Sequence, residues 1–370
     1  MSKRPVLLDA PRLGTVEKEY LARAIESGYV STVGPFVPEF EKKFSAFVGA
    51  DYAVAVQSGT AALHVALHEM KIGPGDEVII PAITFIATAN AVLYTGAKPV
   101  IVDIDPFHWN ISAKSIIPAL TAKTKAIMPV HLYGNPCPME EIQRVAEDNH
   151  LYIIEDATES LGSYYKGQHT GTFGEIGCFS FNGNKLITTG GGGMIVTNDR
   201  KRAEHIKFLV NQARSAGDYY HTELGFNYRM TNIEAALGLA QLNQINEFIK
   251  VKQLFSDIYR KAFADFSYVR HQQPIDGSFP CWWLNCASFE KMDIAALIDY
   301  LNKCHVQTRR IFTPLSKIPY LIHHAQACPM ADKIYAEGIC LPSSPCNTVD
   351  DIQCVVTCIQ NYLKAQSDNL

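Results

Sequence analysis

The sequence predicts an α/β fold, with one mostly parallel sheet in a large domain and a smaller α+β domain after it. Three observations predict this. The chain has 370 residues, more than a single hydrophobic core usually organises, so two packed lobes are expected. From about residue 50 to about residue 200, short β-branched runs alternate with longer stretches of helical period, as parallel strands covered by helices do. Beyond about residue 250 the alternation gives way to isolated strands and two amphipathic helices. The expected division is residues 1–250 for the large domain and 251–370 for the small one.

In chain order the strand candidates are YAVAVQ, DEVIIP, KPVIVDID, KAIMPVHLY, LYIIED and the pair CFSF and GMIVTND, six or seven strands of one sheet. Between them, TAALHVALHEM places Leu63, Ala66, Leu67 and Met70 on one helical stripe, and MEEIQRVAEDN does the same with Ile142, Val145 and Ala146. The segment NIEAALGLAQLNQINEFIKVKQLFSDIYRKAF keeps helical spacing for too long to be one compact surface helix without a break, and it reads as a bridge between lobes. FSYVRHQQ and CWWLNCASF as strands, with MDIAALIDYLNKCHV and DDIQCVVTCIQNYL as helices, complete the smaller domain.

Composition narrows the function classes. Hydrophobic residues make up 47% and charged residues 19%, the balance of a compact chain rather than a disordered one. The net charge of −4 is spread in both signs, without the positive face that nucleic acid or acidic membranes require. The first residues hold no apolar core of signal length, and no later run is apolar enough to span a bilayer, so a cytoplasmic address is expected. The ten cysteines follow no CxxC spacing and read as buried apolar thiols rather than metal ligands.

Chemistry-bearing residues fall at strand ends. VQSGTAALHVAL is a strand, a turn at Ser58, Gly59 and Thr60, and a helix, so free backbone N–H groups and the positive end of the helix dipole meet there and suit a phosphate. An ordinary helix cap by Ser58 or Thr60 explains the same residues. LYIIEDATES ends its strand in Glu155 and Asp156, placing an acid where open α/β sheets bind ligands, although aspartates also cap helices. Lys185, in SFNGNKLITTGGGGM, stands between apolar residues and four glycines. Desolvation there lowers an amine's pKa and leaves it free to attack a carbonyl, whereas Asn182-Gly183 alone reads as a solvated turn. Together, a phosphate corner, a sheet-edge aspartate and a loop lysine match what pyridoxal 5'-phosphate needs, and Phe85 at another strand end is placed to stack on its ring. No metal is called for.

The segments GPFVPEFEKKF, SGTAALHVAL, GDEVIIPAITFIATANAVLYTGAKPVIVDID, PVHLYGNP, IEDATESLGS, SFNGNKLITTGGGGM and GFNYRMTNIEAALGLAQL occur in the order seen in the DegT/DnrJ/EryC1/StrS sugar aminotransferases. The chain resembles that family over nearly all of its first 245 residues, and more weakly beyond, through TRRIFTPL. The resemblance implies fold type I, pyridoxal phosphate as cofactor and a homodimer with shared active sites. It implies Lys185 as the residue that bonds the cofactor, Asp156 as partner of the pyridine nitrogen and Phe85 as the stacking aromatic. Ser58, Gly59, Thr60 and Ser180 are implied at the phosphate, with Asn227 reaching the phosphate of the neighbouring subunit. Arg229 is the candidate for a donor carboxylate, with a structural ion pair as the alternative.

Two positions depart from the family's commonest pattern: Glu159 replaces a glutamine that contacts the cofactor's ring oxygen, and Gly191 replaces a glutamate. The pairing of EDATES with TTGGGG resembles the LegC-like branch. The reaction so implied moves an amino group from L-glutamate to C4 of a UDP-linked 4-keto-6-deoxy N-acetylated hexose, in surface-polysaccharide or nonulosonic acid biosynthesis. A GDP- or dTDP-linked keto sugar, a cyclitol, or a non-catalytic sensor on the same fold are the alternatives.

Overall fold

A computed structural model describes residues 4–215 and 217–367, so the outermost residues of both expected domains lie outside the described residues. Helices α1 (Thr15–Glu26) and α2 (Phe36–Val48) precede β1 (Tyr52–Val56), α3 (Gly59–Glu69), β2 (Glu77–Pro81), α4 (Ala87–Tyr94), β3 (Lys98–Val102), α5 (Ala113–Ile116), β4 (Thr124–Ile127), α6 (Met139–Asp148) and β5 (Tyr152–Asp156). A hairpin of β6 (Tyr164–Tyr165) and β7 (Gln168–His169) leads to β8 (Ile176–Ser180), β9 (Gly193–Thr197), α7 (Arg200–Leu209), α8 (Asn232–Leu242) and α9 (Ile245–Ala262). The remainder is β10 (Val269–His271), β11 (Ser278–Phe279), β12 (Asn285–Phe289), α10 (Ile294–Lys303), β13 (Arg309–Arg310), α11 (Pro329–Glu337), β14 (Gly338–Leu341) and α12 (Val349–Ser367).

Among the described residues, seven strands form one sheet in the order β1-β9-β8-β5-β4-β2-β3. Its members are the seven expected runs. All adjacent pairs from β8 to β3 are parallel, and β9 alone is antiparallel to both neighbours. Strands β2 and β9 are buried along their whole length, as strands covered on both faces are. Because β1 and β8 both oppose β9, they run in the same direction. The carboxyl ends of β1, β2, β5 and β8 therefore share one edge.

The long helical segment breaks at Asn243 and Gln244 into α8 and α9. Helix α9 spans two cores: Phe248 and Ile249 pack with the large sheet, while Phe255 and Tyr259 pack in a second cluster with α10, α12 and a smaller sheet of order β10-β12-β14-β13. The expected boundary at 250 and 251 falls inside this helix. The amino-terminal segment crosses it as well, since Val6 exchanges backbone hydrogen bonds with His305 and Gln307 at 2.9 and 3.0 Å. Strand β11 pairs with β6, clamping residues of the last third onto the large sheet's hairpin. Among the described residues no helix is long and apolar enough to cross a membrane. The ten cysteines are free.

Candidate active site

The shared carboxyl edge opens into a cavity of about 310 Å³. At the end of β1, Ser58 is extended and caps α3, its Oγ accepting from the Ala61 amide at 3.1 Å. The cap leaves the first backbone N–H groups of α3 pointing off the helix end, beside the hydroxyls of Thr60 and Ser180, which also line the cavity. Gly59 is required by space rather than by conformation. A Cβ there would stand 2.7 Å from the Ser180 Cβ and 3.1 Å from its Oγ, closing the corner.

Lys185 follows β8 on a turn closed by its own amide donating to the Asn182 carbonyl at 2.9 Å. Of the glycines after it, Gly192 and Gly193 let the chain return through a gap with no room for a side chain. Gly192 has φ +100°, donates to the Gln57 carbonyl at 2.8 Å and accepts from the Phe181 amide at 2.9 Å. A Cβ at Gly192 would meet the Met230 methyl at 2.8 Å. The lysine side chain is 12% exposed, and its Nζ lies 4.1 Å from the centre of the Trp283 ring. Among the described residues that amine makes no hydrogen bond. Its nearest carboxylate oxygen is Glu159 Oε1, at 3.8 Å. Burial pulls the Lys185 pKa below its ordinary value, while Glu159 and Asp156 oppose the shift.

Asp156 ends β5 beneath this cavity. Its Oδ1 accepts from the Thr158 amide at 3.2 Å and hydroxyl at 2.7 Å, and its Oδ2 accepts from the Thr88 hydroxyl at 2.7 Å. Thr84 backs Thr88 at 2.8 Å. The neighbouring Glu155 points to the other face of the sheet, where it accepts from the amides of Gly171, Phe173 and Gly174 and pairs with His131 at 2.9 Å. Strand alternation thus gives Asp156 to the site and Glu155 to the scaffold. Glu159 is buried, takes a hydrogen bond from the Tyr133 amide at 2.8 Å, and has its pKa raised to about 6 by burial, against the pull of Lys185.

The structure therefore brings together Ser58, Gly59, Thr60, Phe85, Ser180 and Lys185 on one cavity wall, with Asp156 and Glu159 behind it. Phe85 is 53% exposed there, 5.8 Å from the ring of Phe312. Asn227 and Arg229 lie elsewhere in the chain. Asn227 is exposed and bridges to the backbone of Asn211, and Arg229 lines a separate cavity of about 400 Å³ with Thr32, Gly34 and Lys207. Residues that sequence reasoning left without a role complete the first cavity: Thr158, Trp283, Arg309 and Phe312. TRRIFTPL, which contains Arg309 and Phe312, and the double tryptophan of CWWLNC were visible signals.

Comparison with known proteins bears on this site. The profile of the DegT/DnrJ/EryC1/StrS aminotransferase family matches residues 11–360. The GDP-perosamine synthase of Escherichia coli O157:H7 is 42% identical over 336 residues, covering 90% of this chain and 92% of that protein. EpsN of Bacillus subtilis (strain 168), whose name carries dependence on pyridoxal phosphate, is 36% identical over 361 residues, covering 94% and 93%. The crystal structure of the aminotransferase TlmJ from Streptoalloteichus hindustanus superposes with a TM-score of 0.94 at 26% identity, covering 98% of this chain and 100% of that one.

The residues present fit pyridoxal phosphate. The corner that a Cβ at position 59 would fill offers backbone N–H groups and hydroxyls to a phosphate. A buried carboxylate with three donors and an amine without a hydrogen bond supply the two other groups that this cofactor needs.

Proposed function

The chain belongs to the DegT/DnrJ/EryC1/StrS aminotransferase family, and from that premise we propose that it moves an amino group from L-glutamate to the keto carbon of a nucleotide-linked sugar. It is an aminotransferase dependent on pyridoxal phosphate. When bound, that cofactor supplies an aldehyde carbon that takes up and releases the amino group, and a ring that draws electrons from the reacting carbon.

The residues divide the work. Ser58, Gly59, Thr60 and Ser180 hold the phosphate at the first turn of α3, and Phe85 covers a ring face. Asp156 keeps a proton on the ring nitrogen, its carboxylate fixed by Thr88 and Thr158. Glu159, at the position the family resemblance assigns to the ring oxygen, would lie beside that atom. Lys185 Nζ would hold the cofactor and would carry a proton to and from the α-carbon of the donor. Trp283 covers one side of that amine. Asn227, exposed and outside its own chain's cavity, serves the phosphate of a second subunit in a homodimer.

The observation that carries this reading is the Lys185 amine, buried against an indole without a hydrogen bond, between a phosphate corner and a sheet-edge aspartate. The sugar is a finer matter. The 42% identity to a protein named for GDP-perosamine favours a GDP-linked 4-keto-6-deoxy sugar over the UDP-linked N-acetylated hexose expected from sequence motifs. A cytoplasmic address, where soluble sugar nucleotides are found, belongs to the same proposal. The test is a panel of GDP-, UDP- and dTDP-linked 4-keto-6-deoxy sugars offered with L-glutamate, the products read by mass. Amination of the GDP-linked compound with the highest kcat/KM is the expected result. A protein that responds to glutamate yet aminates none of them has a different acceptor.

A further inference from the structure

We propose that Arg309 grips the α-carboxylate of the amino donor, an inference that rests on the transamination reading above. Arg309 sits on β13, fixed there by its pairing with Cys340 of β14, and lines the cavity that holds Lys185. Among the described residues it is the one arginine on that cavity, and its guanidinium makes no hydrogen bond. Nε and Nη2 have no partner. The nearest carboxylate, Asp9, stands 3.5 Å from Nη1 and is already engaged by the Asn184 amide nitrogen at 3.0 Å. The ring of Phe312, 5.8 Å from the guanidinium carbon, flanks the group. With one nitrogen facing Asp9 and the buried Nε and Nη2 without a hydrogen bond, this cation at a cavity wall has donors to spare for a second carboxylate, which its planar fork matches with two parallel hydrogen bonds.

Four anionic groups enter this reaction, the cofactor's phosphate, the nucleotide's diphosphate and the two carboxylates of glutamate, and position selects among them. The cofactor's phosphate has its own corner of amides and hydroxyls at Ser58–Thr60. The nucleotide's diphosphate is separated from the keto carbon by the sugar ring. Only the donor's α-carboxylate is bonded directly to the carbon that bears the amine, the side-chain carboxylate being two methylenes away, so it must lie beside the amine of Lys185. Arg309 meets that requirement, because Asp9 links it to Asn184, the residue preceding the lysine. Arg229, the arginine expected from sequence to do this, lines a different cavity.

The test uses the holoenzyme and the change in cofactor absorbance on adding L-glutamate without any sugar, which isolates the donor's half of the reaction. Arg309→Gln should raise the half-saturating glutamate concentration about 10²-fold, and Arg309→Lys should recover part of it. The amplitude of the starting absorbance and the KM for the keto sugar should stay unchanged in both. Equal rises for glutamate and for the sugar would assign Arg309 to the nucleotide or to structure and overturn the inference. An unchanged glutamate dependence in Arg309→Gln, or a rise confined to Arg229→Gln, would also overturn it. A wild-type protein that responds to glutamate but aminates no sugar nucleotide would sink the acceptor reading and leave this comparison fully interpretable.

Discussion

Among the described residues two lysines, one buried and one nearly so, have their pKa pulled down by desolvation, yet only one is built to react. Lys252, on α9, is 2% exposed, and its Nζ donates to the carbonyls of Trp283 at 2.9 Å and Ser343 at 2.8 Å. Lys185 lies on the ring of the same tryptophan, 4.1 Å from its centre, with no hydrogen bond and a carboxylate oxygen at 3.8 Å. One amine is anchored by two carbonyls and pins α9 to the segment before β12 and to the segment after β14. The other keeps its donors free at a cavity. Perturbed titration marks both, so hydrogen-bond saturation separates a reactive lysine from a structural one.

The comparison breaks most decisively at Lys185. Replacing it by alanine should lower turnover by about 10⁴-fold or more and abolish the visible absorbance of the bound cofactor, with little change in melting temperature. Lys252→Met should do the reverse. It leaves the Trp283 and Ser343 carbonyls buried without a donor, for a loss of about 2–4 kcal/mol in stability, while the absorbance of protein kept folded at low temperature persists. The pH dependence sharpens the contrast. Lys252 has a folded pKa of about 8 against an ordinary 10.5, so between those values the unfolded chain binds the proton more tightly and the wild type gains stability over Lys252→Met as pH rises. A stability difference that is flat across that range, in parallel denaturant titrations, would show that Lys252 carries no such penalty.

The same contrast explains what could be read from sequence. Lys185 was legible because it follows a β-branched run and precedes glycines, and Ser58, Asp156 and Ser180 likewise stand at the ends of strands that alternation reveals. Lys252 is one more cation on an amphipathic helix until the fold brings Trp283 and Ser343 to it across 31 and 91 residues of chain. Arg309 and Phe312 escaped for the same reason, since their place depends on the β13–β14 pairing. The two-residue strands β6, β7, β11 and β13 are too short to leave a period. Helix α1 is not legible from sequence either; its Glu17 is held by Gln241 and Gln244 of the later helical segment, which lies far along the chain. The break at Asn243 and Gln244 was expected somewhere in that segment but carries no glycine or proline to mark it.

Glu159 tests how far the reactive lysine depends on its surroundings. Its carboxyl, raised to about 6 by burial, is ionised at neutral pH and favours the charged form of Lys185 from 3.8 Å away. Glu159→Gln removes that charge and keeps an acceptor for the Tyr133 amide. Activity at pH 8 should fall about 10-fold. Because wild-type Glu159 becomes neutral below its folded value of about 6, the two pH profiles should converge there, and the wild-type limb near 6 should be missing from the variant. Profiles that run parallel through this range would detach Glu159 from the chemistry.

The smallest expected effect lies one step further from the amine. Thr88 donates to Asp156 Oδ2 at 2.7 Å, and Thr84 stands behind it at 2.8 Å, so a short relay leads from the loop after β2 to the carboxylate under the cofactor. Thr88→Val exchanges the hydroxyl for a methyl of similar volume and removes one hydrogen bond to a charged group, which should lower kcat/KM by about 10-fold or less. Thr84→Val, which touches Asp156 only through Thr88, should do less again. If the relay orients the carboxylate, these effects must decline in that order and must leave the melting temperature nearly unchanged. Equal losses in the two variants, tracking stability rather than distance from Asp156, would reduce both threonines to packing.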